Sequence, residues 1–187
     1  MSERVRSTSP AYKIVQTSYG LRGLEKEGFN VIILPGDIIA VRGTGWLSRE
    51  IEEVTSSKYS HIATAISDSF MVEALWPRVH TPDMITKYTG VADVYRYTNA
   101  TDAQRKQMAY YVQKQIGTHY SALLLLYEWL RYRMHIMPVY TGLKFICSLL
   151  EADAVRKGAD LPFCQGIPYP SPQDVVTDPA VVKIGSL

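Results

Sequence analysis

The pattern of apolar and polar positions is most legible between residues 59 and 75. Tyr59-Ser60-His61-Ile62-Ala63-Thr64-Ala65-Ile66 and Phe70-Met71-Val72-Glu73-Ala74-Leu75 are rich in apolar and β-branched residues, and the polar Ser67-Asp68-Ser69 separates them. Runs of this kind predict two strands of a hairpin. His61 and Glu73 stand twelve positions apart. Side chains alternate across a strand with period two, so an odd-numbered loop puts both on one face. A three-residue loop at Ile66–Asp68 sets them directly opposite, and one at Ser67–Ser69 makes them diagonal neighbours. A two-residue loop sends them to opposite faces.

The rest of the chain supplies further elements. Tyr12–Thr17 reads as a short strand after a loose polar start, residues 1–12. Leu21–Gly28 reads as a short charged helix or loop, and Phe29–Leu34 as a strand entering the Pro35-Gly36 turn. Asp37–Arg42 reads as a buried strand. Trp46–Thr55 has helical spacing, with Glu50, Glu52 and Glu53 on its polar side. After the hairpin, Trp76–His80 is extended. Thr81-Pro82 opens a short helix over Pro82–Tyr88, with threonine as cap and proline in the first turn. Val91–Tyr97 alternates as a strand. Thr101–Ile116 is a helix with Met108, Ala109, Val112 and Ile116 on one stripe, closed by Gly117.

Tyr120–His135 is an apolar helix ended by Pro138, and Gly142–Lys157 a helix that carries Cys147 and stops at Gly158. The proline-rich tail is mostly loop, with ordered pieces at Asp174–Val176 and Val181–Ile184. Strands followed by helices favour one α+β domain, residues 1–187, around an antiparallel sheet or small barrel packed against helices.

Composition narrows the function classes. The chain has 187 residues, long enough for a sizeable core, with 47% hydrophobic and 20% charged residues, ordinary for a globular protein. A net charge of +2 without a basic block gives no reason to expect a nucleic-acid partner. The N-terminal residues lack an apolar core segment, so no secretory signal is expected and the chain is expected in the cytoplasm as synthesised, leaving only by a dedicated route, as an effector or phage product. The run Ala122–Leu126 is too short to span a bilayer, although the apolar helix around it suits peripheral lipid contact. Two cysteines, Cys147 and Cys164, have no metal-type spacing, so no metal and no cofactor is expected. Cys164 lies in a proline- and glycine-flanked loop and is expected to be inert. His80, His119 and His135 have no visible partners and are expected to be structural or on the surface.

Five short motifs stand in an ordered series: Leu34-Pro35-Gly36-Asp37-Ile38-Ile39, Ser60-His61-Ile62-Ala63, Val72-Glu73-Ala74, Gly117-Thr118-His119-Tyr120 and Phe145-Ile146-Cys147-Ser148. The tail adds Ser171-Pro172-Gln173-Asp174. Over roughly residues 34–184 the sequence resembles the circularly permuted branch of the NlpC-type papain-like fold, of the YiiX-like and lecithin–retinol-acyltransferase-like kind. In that branch the histidine precedes the cysteine, as His61 precedes Cys147 here.

The resemblance implies a Cys147–His61–Glu73 triad. A helix N-terminus lowers a thiol pKa because unpaired N–H groups favour negative charge. His61 would take or hold the thiol proton, Glu73 would fix its tautomer, and the Cys147 N–H would serve a developing oxyanion. The expected activity is that of a cysteine hydrolase acting on an amide bond in a peptide, a peptidoglycan stem peptide or an isopeptide. The same residues serve an acyltransferase or lipid hydrolase on an acylated substrate, the reading to which the apolar helix points. A non-catalytic binding module on this scaffold is the third reading. Tyr59, Trp76, Tyr120 and Asp37 are candidates for the substrate cleft, and each also suits a purely structural place. Oligomeric state is not legible.

Overall fold

β3 (Ile38–Val41) is buried along its whole length, because both faces of the sheet it centres are covered. In the computed structural model, residues 31–43, 57–80, 82–120 and 146–187 are described in full, and the backbone is described for 12–16 and 22–26. β4 (His61–Ala65) pairs with β3 on one side and β8 (Ala92–Tyr97) pairs with it on the other, both antiparallel. β5 (Phe70–Leu75) pairs with β4, and β9 (Val181–Ser186) with β8. The two-residue strands β6 (Arg78–Val79) and β7 (Asp83–Met84) both pair with β5. The result is a seven-stranded sheet in the order β6-β5-β4-β3-β8-β9, with β7 on β5. It is antiparallel and open, so of the two expected forms the sheet holds and the closed barrel does not.

One face of the sheet presents Ile38, Ala40, Ile62, Val72 and Ala74 to Met108, Val112, Leu150, Val155, Phe163 and Val175 from the helices and the late loop. Full burial of one such Leu or Phe side chain stabilises by roughly 2–3 kcal/mol. The other face presents Ile39, Val41, Ala63, Ala65, Met71 and Val94 to Val31, Ile85 and Leu187. Covering on both sides explains why these strands read as almost continuous apolar runs.

α1 (Asp102–Lys114) starts where expected. The Thr101 hydroxyl accepts from the Gln104 N–H, and Gln104 reaches back in a capping box. α2 (Cys147–Asp153) continues into a π turn at Ala154–Gly158. α3 (Pro172–Thr177) is capped by Ser171 with Asp174 in a second capping box. Before it, the Arg156 guanidinium donates to the carbonyls of Phe163, Cys164 and Ile167, which fastens the proline-rich loop.

Several expectations change. Within the helix or loop expected at Leu21–Gly28, the described residues form a strand: β2 (Arg22–Lys26) pairs with β1 (Tyr12–Gln16) in a separate two-stranded sheet. The neighbouring strand takes the backbone groups that a helix would have bonded within itself. Val31–Leu34 is not a strand. There the Asp37 carboxylate accepts the Leu34 N–H, folding the segment back at the Pro35-Gly36 turn.

The helix expected at Pro82–Tyr88 shrinks to a 3₁₀ turn, Ile85–Tyr88, without a side-chain cap. Asp83 and Met84 pair with Met71 and Phe70, and the Ile85 N–H bonds the Ser69 carbonyl, so the sheet claims the would-be first turn. The helix expected from Gly142 begins at Cys147, since Ile146 is extended. The helix expected at Trp46–Thr55, and all but Tyr120 of the one expected at Tyr120–His135, with the Leu123–Leu126 run and His135, lie outside the described residues, as does the start of the chain at 1–11. Among the described residues, no helix is long and apolar enough to cross a membrane.

Candidate functional site

The hairpin decides the geometry. Ala63 pairs with Glu73 and Ala65 with Met71, and the Ile66 N–H bonds the Phe70 carbonyl. The loop is therefore Ser67–Ser69, the diagonal alternative. His61 and Glu73 share a face, and the His61 Nε2–H donates to Glu73 Oε2 over 2.7 Å. His61 has a second partner besides Glu73, and that partner is Cys147.

Cys147 is the first residue of α2, next to the cap position Ile146. Its side chain shares a hydrogen bond with His61, and the backbone N–H groups of Ile62 and Ser148 are directed at the sulfur. Burial alone lifts a thiol pKa. Here the His61 charge, the His61 hydrogen bond and the two N–H groups overcome burial and hold the thiol below its ordinary range. Burial likewise works against a charged imidazole, but the sulfur and then Glu73 outweigh it and raise His61 to about 9. The two shifts describe one coupled pair whose favoured form is thiolate–imidazolium. Neither residue is sealed off: Cys147 keeps 7% of its surface exposed and the His61 side chain 13%.

Glu73 is 1% exposed and accepts two donors that the sequence reasoning missed. Lys87 Nζ lies 2.7 Å from Oε1, and the Tyr88 hydroxyl donates to Oε2 over 2.6 Å. Lys87 also reaches Asp83 at 3.0 Å, and the Tyr88 ring tilts against the His61 ring with centroids 6.1 Å apart. Burial opposes ionisation of Glu73, but His61, Lys87 and Tyr88 prevail and lower its pKa to about 2. The sequence contained one usable signal, the Asp83/Lys87 pair at helical i,i+4 spacing. Nothing in it linked that pair to Glu73.

The four cleft candidates separate. Asp37 is fully buried, and Arg96 clamps it at 2.7 and 2.6 Å. It ties β3 to β8 and forms no cleft wall. Tyr59 is fully buried too, with its hydroxyl between Asp93 at 2.5 Å and Tyr95 at 2.9 Å. Asp93 also gathers Arg42, Lys58, Lys183 and Ser186, so this cluster fastens the sheet. Tyr120 is half-buried against the helix-side core. Trp76 is 74% exposed, in the turn that follows β5.

His80 and His119 are exposed and enter the sheet through their backbones. Both cysteines are free. Burial, with Asp178 next, pushes Cys164 up to about 12, which suits a non-nucleophilic thiol. Among the described residues, no group of three or more His, Cys, Asp or Glu side chains could hold a metal ion.

Sheet, helix start and hairpin together define an α+β protein in which a cysteine at a helix N-terminus meets a histidine–carboxylate pair on an antiparallel sheet. Among solved structures, the fold is similar to the metalloprotein YiiX from Escherichia coli O157:H7, with a TM-score of 0.50 and 16% identity over 82% of this chain and 97% of that one. At this identity the likeness is one of fold alone. No family model matches the sequence, and no curated protein matches it.

Proposed function

We propose that the protein is a cysteine hydrolase of the permuted papain-like kind that cleaves an amide bond in a peptide, a peptidoglycan stem peptide or an isopeptide. The observation that carries this reading is the Cys147–His61–Glu73 chain of hydrogen bonds, with the sulfur at the first residue of a helix. The Cys147 thiolate attacks the carbonyl carbon and a C–S bond forms. The oxyanion is met by first-turn N–H groups, which have no acceptor within the helix. The C–N bond breaks as imidazolium His61 protonates the departing amine. Water then attacks the thioester while neutral His61 takes its proton. The acid forms, the C–S bond breaks and the thiolate returns. Glu73 keeps the imidazole oriented through both steps.

The fold neighbour is called a metalloprotein. The donor set described here does not fit such a group: His61, Glu73 and Cys147 are already bonded to one another, and no further His, Cys, Asp or Glu completes a site with them among the described residues.

The test is to incubate the protein with peptide, muropeptide and acyl-ester libraries and to look for an acyl adduct on Cys147 by intact-mass and peptide mapping. Cys147→Ala should lower turnover by at least about 1,000-fold while the circular dichroism spectrum stays native. Full turnover in that variant would refute the reading. Adducts formed from acyl esters alone would move the assignment to the lipid hydrolase or acyltransferase.

A further inference from the structure

The carboxylate of the proposed triad is held by more than the histidine. Glu73 is buried, yet a lysine and a tyrosine from the segment after β6 reach it. Lys87 takes Oε1, and Tyr88 shares Oε2 with His61. Lys87 is in turn steadied by Asp83, and its ammonium lies 5.3 Å from the centre of the Tyr88 ring. All three come from Asp83–Tyr88, which β7 anchors to the edge of β5.

We infer that Lys87 and Tyr88 are positioning residues for the acyl-transfer site: they fix the Glu73 carboxylate and balance its charge, and through it they set the protonation of His61. The inference rests on the proposed function for its catalytic meaning. Its geometry stands apart from it.

Charges alternate along the chain of contacts: Lys87 positive, Glu73 negative, His61 positive, Cys147 negative. A buried carboxylate facing histidine alone would hold the imidazolium proton more tightly and leave His61 a weaker acid toward the departing amine. With Lys87 present, part of the Glu73 charge is already offset, and the imidazolium stays acidic enough to give up its proton. Tyr88 acts in the same direction, since its O–H withdraws electron density from the oxygen that accepts from His61. Lys87, Tyr88, Asp83, His61 and Cys147 are the titratable groups that face Glu73 and its partners among the described residues. Removing the lysine charge must therefore raise the affinity of His61 for its proton.

The experiment follows the His61 ring by NMR against pH, with the resonance assigned by His61→Gln. In Lys87→Met the His61 midpoint should move up by about half to one pH unit, the effect of one partly screened charge acting through a shared carboxylate. Lys87→Arg should bring it back, because guanidinium restores both charge and donor. Tyr88→Phe should shift it upward by a smaller amount and decides the matter if Lys87→Met does not fold. Loss of thermal stability with the His61 midpoint unmoved, or moved down, in a folded variant overturns the inference. Failure to trap an acyl adduct on Cys147 overturns the proposed function instead, and leaves the His61 titration readable.

Discussion

Replacing Glu151 with glutamine should turn a falling stability–pH profile into a flatter one. Glu151 sits one helical turn beyond Cys147, fully buried against β4. Its Oε2 accepts from the Thr64 hydroxyl, and its Oε1 has no hydrogen-bond partner. Burial pushes its pKa up, Thr64 offsets part of the rise, and the Asp37 charge adds to it, bringing the group to about 8 from an ordinary 4.5. A carboxyl held above its unfolded value favours folding fully below that value, and the contribution is lost as pH rises through the folded one.

The window is thus about pH 4.5 to 8, and the gap corresponds to about 5 kcal/mol in total, of which about 3 kcal/mol falls between pH 5 and 8. The glutamine amide cannot ionise but brings an unpaired N–H into the site, a constant cost of about 1–3 kcal/mol. Urea unfolding of both proteins at pH 5 and pH 8 reads the difference. Glu151→Gln should be the less stable protein at pH 5 and should gain about 3 kcal/mol on the native protein by pH 8. A stability difference that stays the same at both pH values, to within about 0.5 kcal/mol, would show that Glu151 is not protonated in the fold and would refute the reasoning.

Two stability predictions concern the frame of the site. Arg96→Met strips the buried Asp37 carboxylate of two short hydrogen bonds and should cost about 3–5 kcal/mol, read from the urea midpoint, with an unchanged midpoint counting against the clamp. Gly36 and Gly90 both have φ of +82°, but a Cβ on Gly36 would lie 3.1 Å from the Arg105 carbonyl oxygen, whereas one on Gly90 meets nothing within 4 Å. Gly90→Ala should therefore cost about 1 kcal/mol from backbone conformation alone, and Gly36→Ala clearly more. Equal losses would show that the close approach to α1 has no energetic weight.

Period-two alternation located the hairpin and put His61 and Glu73 on one face, but it left the register open between two loops. The choice rests on backbone bonds at Ile66, Ser67 and Phe70, to which side-chain pattern is blind. The first helix was legible to within two residues because its apolar stripe, Met108, Ala109 and Val112, is the face that the fold buries. Only the last four residues of the helix expected at Pro82–Tyr88 are helical, because threonine and proline signal a helix start locally, whereas the edge of β5 competes for the same backbone from more than ten residues away. Lys87 and Tyr88 escaped notice for that reason: their relation to Glu73 exists only once β7 is docked. Asp37 and Tyr59 were read as cleft candidates from their places beside motifs. Their partners Arg96 and Asp93, on a strand more than thirty residues later, draw them into the interior.

The Ser67–Ser69 turn has a consequence for how this chain can change. Its side chains bond only within the turn, Ser67 accepting from the Ser69 and Phe70 N–H groups, whereas its residue count acts as a parity lock. Deleting or inserting a single position would rotate everything beyond it by half a pleat and carry Glu73 away from His61 while leaving the composition of the hairpin intact. Substitution and length are thus under unequal constraint at the same surface loop.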